Sequence, residues 1–231
     1  MSQTVPIIAI YSHTGLIPAK FIQAWVPAAQ LAISRDFAPH WSDAKLVYVP
    51  PGGSISVDWW QLVIFDHSDQ ADSLGYHDTT TAGMPIGKVF ALDCIQDKQN
   101  WNVTGTHELE EMIGDPKIDQ VVQVVQDGIT WEYARETCDA PEDDHWGQRV
   151  GGHLASNAVT PAWFDLNGKP PYTIYPCAQI TAPFMLADGG YIGRREVAPS
   201  AGEWQQIMAA MAGSRQIKKL DSRTMRRFNG P

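Results

Sequence analysis

Apolar residues along this chain fall into short runs and one helical stripe, separated by turn residues. Val5–Tyr11 (VPIIAIY) is a β-branched run that predicts a buried strand. From about Ala19 to Phe37, Phe21, Trp25, Ala28, Ala29 and Ala32 recur at three and four, the spacing of an amphipathic helix. Pro27 inside it predicts a kink or break. Lys45–Val49, Trp60–Phe65 and Ile86–Leu92 read as three more strands, the first of them stopped by Pro50-Pro51-Gly52-Gly53. The polar stretch Asp66–Met84 predicts a long loop. Gln99–Ile113 predicts a second helix, ended by Gly114-Asp115-Pro116. Val121–Gln126 and Ile129–Arg135 flank Asp127-Gly128, a strong hairpin signal, and a second hairpin candidate turns at Gly151-Gly152. After Pro161 the period is lost among Pro, Gly and aromatic residues. Glu203–Met211 is the last helix candidate. This order predicts an α+β fold.

The chain has 231 residues, enough for one large domain or two small ones. With 44% hydrophobic and 19% charged residues, disorder throughout is excluded. Cys94, Cys138 and Cys177 are odd in number and lack C-x-x-C spacing, so buried reduced thiols are expected. No stretch approaches the about 20 apolar residues of a membrane span. No basic region precedes the first apolar run, so neither a membrane partner nor a signal peptide is expected, and a cytoplasmic location is. A net charge of −9 argues against a specific nucleic-acid partner. That charge is unevenly spread. From Arg194 onward eight basic residues face three acidic ones, a net +5, which leaves −14 on residues 1–193.

The chemistry concentrates in Thr106-His107-Glu108-Leu109-Glu110-Glu111. On a helix with His107 at 0°, Glu111 falls near about 40° and Glu108 near about 100°, while Leu109, Met112 and Ile113 lie at about 140–240°. One face gathers an imidazole and two carboxylates, and side chains at i and i+4 reach one ion from the same side. This is the physics of H-E-x-x-H zinc sites, with His107 and Glu111 as ligands and Glu108 as general base. Glu111 stands where that motif has its second His, and a carboxylate there widens the choice from Zn toward other divalent metals. Taken alone, H-E-x-x-E fits a solvated acidic helix face better than a metal site. A third ligand is needed, and Glu136 and Asp139 downstream are the best candidates. His67 and His77 sit in the long loop, where solvated histidines are expected and ligands are not. Asp115 orients His107 or simply stops the helix.

The order of elements around this helix resembles the zincin metallopeptidase fold. More closely, His107-Glu108-x-x-Glu111-x-x-x-Asp115-Pro116 followed by Glu136-x-x-Asp139 resembles a zincin-like group of bacterial and bacteriophage proteins. Gly75-Tyr76-His77-Asp78, Gly87-Lys88-Val89-Phe90, and Ser156-Asn157 through Pro161-Ala162-Trp163-Phe164 share the likeness, which spans about residues 5–192. It implies a mixed sheet with a long N-terminal helix and an active-site helix over 1–116. A hairpin and an irregular part would follow over 117–193. Residues 194–231 would form a basic tail with a short helix, outside the domain 1–193. It also implies His107, Glu111 and Glu136 as ligands of Zn or another divalent metal. Asp139 would be an alternative or outer ligand, and Glu108 the base. Gly87, Lys88, Val89 and Phe90 would line an edge strand that binds an extended peptide or protein substrate. The function implied is a metal-dependent peptidase. The alternative is a virion structural or assembly protein, packaged in a phage particle, that binds other virion proteins through the same scaffold.

Overall fold

The β-branched run near the start of the chain forms strand β1 (Ile7–Ser12), with Ile8, Ala9 and Ile10 fully buried. The computed structural model describes residues 5–70, 73–197 and 202–209, and the backbone of 216–219. Helix α1 (Ala19–Leu31) follows and widens into π-helical turns over Ala32–Phe37. It passes through Pro27 rather than breaking there. Its inward stripe is Ile22, Trp25, Val26, Ala28 and Ala29, while Phe21 is exposed. Next come β2 (Lys45–Tyr48), β3 (Trp60–Phe65), β4 (Gly75–Thr79), β5 (Pro85–Phe90), α2 (Ala91–Gln96) and α3 (Trp101–Gly114). The remaining elements are β6 (Val121–Gln126), β7 (Ile129–Ala134), β8 (Gln148–Val150), β9 (His153–Ala155), β10 (Tyr191–Glu196), β11 (Gln205–Met208) and β12 (Gln216–Lys219). The architecture is α+β. No helix among the described residues is long and apolar enough to cross a membrane, and all three cysteines are buried thiols outside any disulfide.

The chain divides into two units, Met1–Lys117 with Gly147–Ser156, and Ile118–Trp146 with Asn157–Pro231. The first holds a five-stranded sheet in the order β2-β1-β3-β5-β4. Strands β2, β1, β3 and β5 run parallel, and β4 pairs antiparallel to β5. Two expectations are corrected here. Strand β5, which carries Gly87–Phe90, is interior and hydrogen-bonded on both sides, so it is not the edge strand. The edge is β4, inside the stretch expected to be a loop.

Helix α3 packs on this sheet and leaves almost none of its surface to solvent. Asn100 caps it, accepting the Asn102 N–H at 3.0 Å. Val103 and every residue from Gly105 to Gly114 are buried. Gly105 makes the approach to α1 feasible, because a Cβ there would lie 2.7 Å from the buried ring of Trp25. Trp25 is itself wedged edge-on against Trp101, with centroids 5.2 Å apart. Gly105→Val should therefore cost about 1–3 kcal/mol of stability through overpacking, read as a lower denaturation midpoint in urea.

The second unit holds an antiparallel sheet in the order β12-β11-β10-β7-β6. Its β6–β7 hairpin turns at Asp127 (φ 52°) and Gly128 (φ 78°), the left-handed pair a two-residue turn requires. Over Gln205–Met208 the expected C-terminal helix is instead strand β11, which buries Ile207 and pairs with β10; residues 210 and 211 lie outside the described residues. The boundary expected after residue 193 falls inside β10. Arg194 stacks on the Trp131 ring at 4.0 Å, and Arg195 pairs with Glu132 at 2.6 Å, so these two belong to the sheet. Of the other basic residues in the expected tail, Arg215, Arg223, Arg226 and Arg227 lie outside the described residues.

Candidate functional site

Helix α3 turns Glu108 and Glu111 toward β4 and β5 of the first sheet, with His107 beside Glu111. Its setting is fixed locally. The Thr106 hydroxyl lies 3.0–3.1 Å from the carbonyls of Val103 and Asn102, and accepts the Ser156 N–H at 2.7 Å. This ties the motif turn to the end of β9. Two glycines clear the sheet surface below it. A Cβ on Gly75 would fall 2.6 Å from Glu108 Oε1, and one on Gly87 would fall 2.7 Å from Leu62 and 3.5 Å from Glu108 Cβ. A Cβ at position 75 would force the Glu108 carboxylate to shift, whereas at position 87 the tight approach is to Leu62.

Three ionisable pairs meet there. His107 Nε2 lies 3.4 Å from Glu111 Oε2, the i and i+4 contact the motif predicts. His77 Nδ1 lies 3.4 Å from Glu111 Oε2 and 3.7 Å from Glu108 Oε2. Relative exposure is 3% for His77, 9% for His107, 4% for Glu108 and 2% for Glu111. The solvated-face reading of H-E-x-x-E is thereby removed, since carboxylates this dry are costly unless offset by positive charge or hydrogen bonds. Burial pushes the Glu111 carboxyl up. The charge and hydrogen bonding of His107, then of His77, outweigh it and hold that carboxyl well below the usual carboxylate range. Glu108 Oε2 is buried and accepts no hydrogen bond among the described residues.

The donors suit a divalent metal. Imidazole nitrogen and carboxylate oxygen are both accepted zinc ligands. The ligand atoms of His77 and Glu111, and of His107 and Glu111, lie within 4.8 Å of one another. Asp115 follows α3 and is buried, its N–H donating to the Glu111 carbonyl at 2.7 Å. Glu136 and Asp139 belong to the second unit, each 3% exposed. Their segment is held by Val159 N–H to the Thr137 carbonyl at 2.7 Å and Tyr191 N–H to the Asp139 carbonyl at 2.9 Å.

The four residues expected to line a substrate edge have other roles. Val89 and Phe90 are core residues, and Gly87 provides clearance for Leu62. Lys88 Nζ is held by Asp69 and the Tyr76 hydroxyl, both at 2.5 Å. His77 is the residue that sequence reasoning passed over. Its strand, Gly-Tyr-His-Asp-Thr, has no apolar alternation, so the period-2 signal of a half-buried strand is missing. A pocket in the second unit, lined by Pro171, Tyr172, Tyr175 and Ile180 among others, contains no acidic, basic, His or Cys side chain. The chain matches no protein-family model, no curated protein and no solved structure.

Proposed function

We propose that the first unit binds one divalent metal on α3 and hydrolyses a peptide-type bond beside it. His107 and Glu111 hold the metal, and zinc suits this imidazole–carboxylate pair best, with manganese compatible. The observation that carries the reading is the burial of His107, Glu108 and Glu111 on one helix face, with His107 Nε2 and Glu111 Oε2 3.4 Å apart. When bound, such a metal polarises a carbonyl and acidifies a water molecule. Glu108 accepts the proton of the attacking water at Oε2 and returns it to the departing amine. Gly75 leaves room for this carboxylate. The outer edge of β4, unpaired among the described residues, is where an extended peptide adds as a further strand. The sequence resemblance assigns Glu136 as third ligand, with Asp139 as its alternative.

The test is elemental analysis of protein isolated without chelators. About one divalent metal per chain is expected, falling to background in His107→Ala. Wild-type protein that carries no stoichiometric metal, and takes up none on dialysis against zinc, would remove the catalytic reading.

A further inference from the structure

We propose that the outer edge of strand β6 pairs antiparallel with the same edge of a second copy of this chain, about a two-fold axis through Gln123. The inference is independent of the metal site. Strand β6 ends the second unit's sheet, so one of its sides is unpaired among the described residues. The hairpin shows which backbone groups face that side. Gln126 and Ile129 close its two-residue turn, and the Arg135 N–H donates to the Gln120 carbonyl at 3.1 Å. Bonds to β7 therefore come from the even-numbered residues of this segment. Val121, Gln123 and Val125 turn their N–H and C=O groups outward, where they meet no backbone partner among the described residues.

The sequence of this edge is self-complementary. Residues 120–126 read Gln-Val-Val-Gln-Val-Val-Gln, the same in both directions. Antiparallel pairing reverses one strand against the other, so a palindrome meets itself. Its centre is Gln123, which is also the middle of the three outward-facing residues. Sequence and backbone thus select the same register. In it Gln123 lies opposite Gln123 of the second copy, Val121 opposite Val125, and Val122 opposite Val124. The outward groups exchange about six backbone hydrogen bonds. Each valine meets a valine, and β-branched side chains pack well against cross-strand neighbours. Gln123 suits the axis. Its amide donates to Glu132 at 2.8 Å, which leaves its second amide hydrogen and its carbonyl for the same residue of the second copy. A contact in which one patch serves both partners closes at two copies.

The edge also lacks what would keep a partner away. Sheet edges are commonly blunted by charged residues, proline or bulges. The other outer strands of the two five-stranded sheets each contain charged residues, Lys45 in β2, Asp78 in β4, and Lys218 and Lys219 in β12. Strand β6 has no charged residue and no proline, and its register with β7 is unbroken by a bulge. Val125 is left 63% exposed on it. An open, uncharged, β-branched edge is an aggregation hazard, which a closed pairing removes.

Sedimentation velocity of the full chain tests this, and a dimer with no larger species is expected. Val125→Lys puts an edge charge on a side chain the fold leaves exposed. It should weaken association by about tenfold or more, with the circular dichroism spectrum unchanged. The register has its own readout. In Gln123→Cys the two new thiols face each other on the axis, at a Cα separation of about 5.5 Å that a disulfide spans, and oxidation by diamide should link the chains. In Val121→Cys the two new thiols lie more than about 13 Å apart and should not link. Cys94, Cys138 and Cys177 are buried and do not compete. Wild-type protein that stays monomeric up to about 100 µM overturns the inference. So does a dimer that Gln123→Cys does not link, or that Val125→Lys leaves at wild-type affinity, since its contact then lies elsewhere. Species that grow beyond the dimer with concentration overturn the two-fold pairing. Should either variant not fold, the wild-type stoichiometry and the other variant decide.

Discussion

Glu108→Gln should load a full complement of metal and lose hydrolysis by about 10²–10⁴-fold, the usual contribution of a positioned general base. The substitution isolates one property. Gln has the same shape, so the clearance over Gly75 still accommodates it. Glu108 Oε2 accepts no hydrogen bond among the described residues, so no such acceptor is lost there. What disappears is the capacity to take a proton, and with it about 3–5 kcal/mol of barrier lowering. Glu111→Gln differs, because its carboxylate is the atom both histidines face, and it should lose metal and turnover together. Digestion of an unstructured protein followed by mass spectrometry, with metal content measured on the same samples, reads both. Hydrolysis at the wild-type rate in metal-loaded Glu108→Gln would show that another group accepts the proton.

The parts of this protein that were legible in its sequence are those where local chemistry and tertiary packing agree. β1, β3 and the Asp127-Gly128 hairpin follow from β-branched runs and a turn that needs two left-handed residues. The motif helix was legible because His107 and Glu111 sit one turn apart whatever the helix packs against. Its burial was not, since Glu108, Glu110 and Glu111 read as a wet face by composition. The strand at Gly75–Thr79 was illegible because its inward residue is His77, a polar side chain where the alternation rule looks for an apolar one. Misplacing β4 also misplaced the edge, and so gave β5 a substrate role that belongs to a core strand. At Gln205–Met208 a helix-compatible segment forms β11, because pairing with β10 buries Ile207. Tertiary pairing overrides weak local preference there.

Chelation should destabilise the wild-type protein by about 3–4 kcal/mol relative to a sample held at 100–1,000 times the metal dissociation constant, and should leave His107→Ala unmoved. The reason lies in what the stripped site must tolerate. Glu108 and Glu111 are buried near each other, and without a divalent cation their charge is offset through His77 and His107. An imidazole offers positive charge only when protonated, and its unperturbed pKa is about 6.5. Metal competes with protons for the same nitrogens, so loading releases protons and strengthens as pH rises. Because loading releases protons, the gap between metal-loaded and chelated protein should widen as pH is raised, measured from about pH 6 to about pH 8. Thermal unfolding followed by circular dichroism, with and without EDTA at each pH, measures that gap. A gap that stays at zero across this range would mean that the native state binds no metal, and that the buried carboxylates of α3 are balanced by the protein alone.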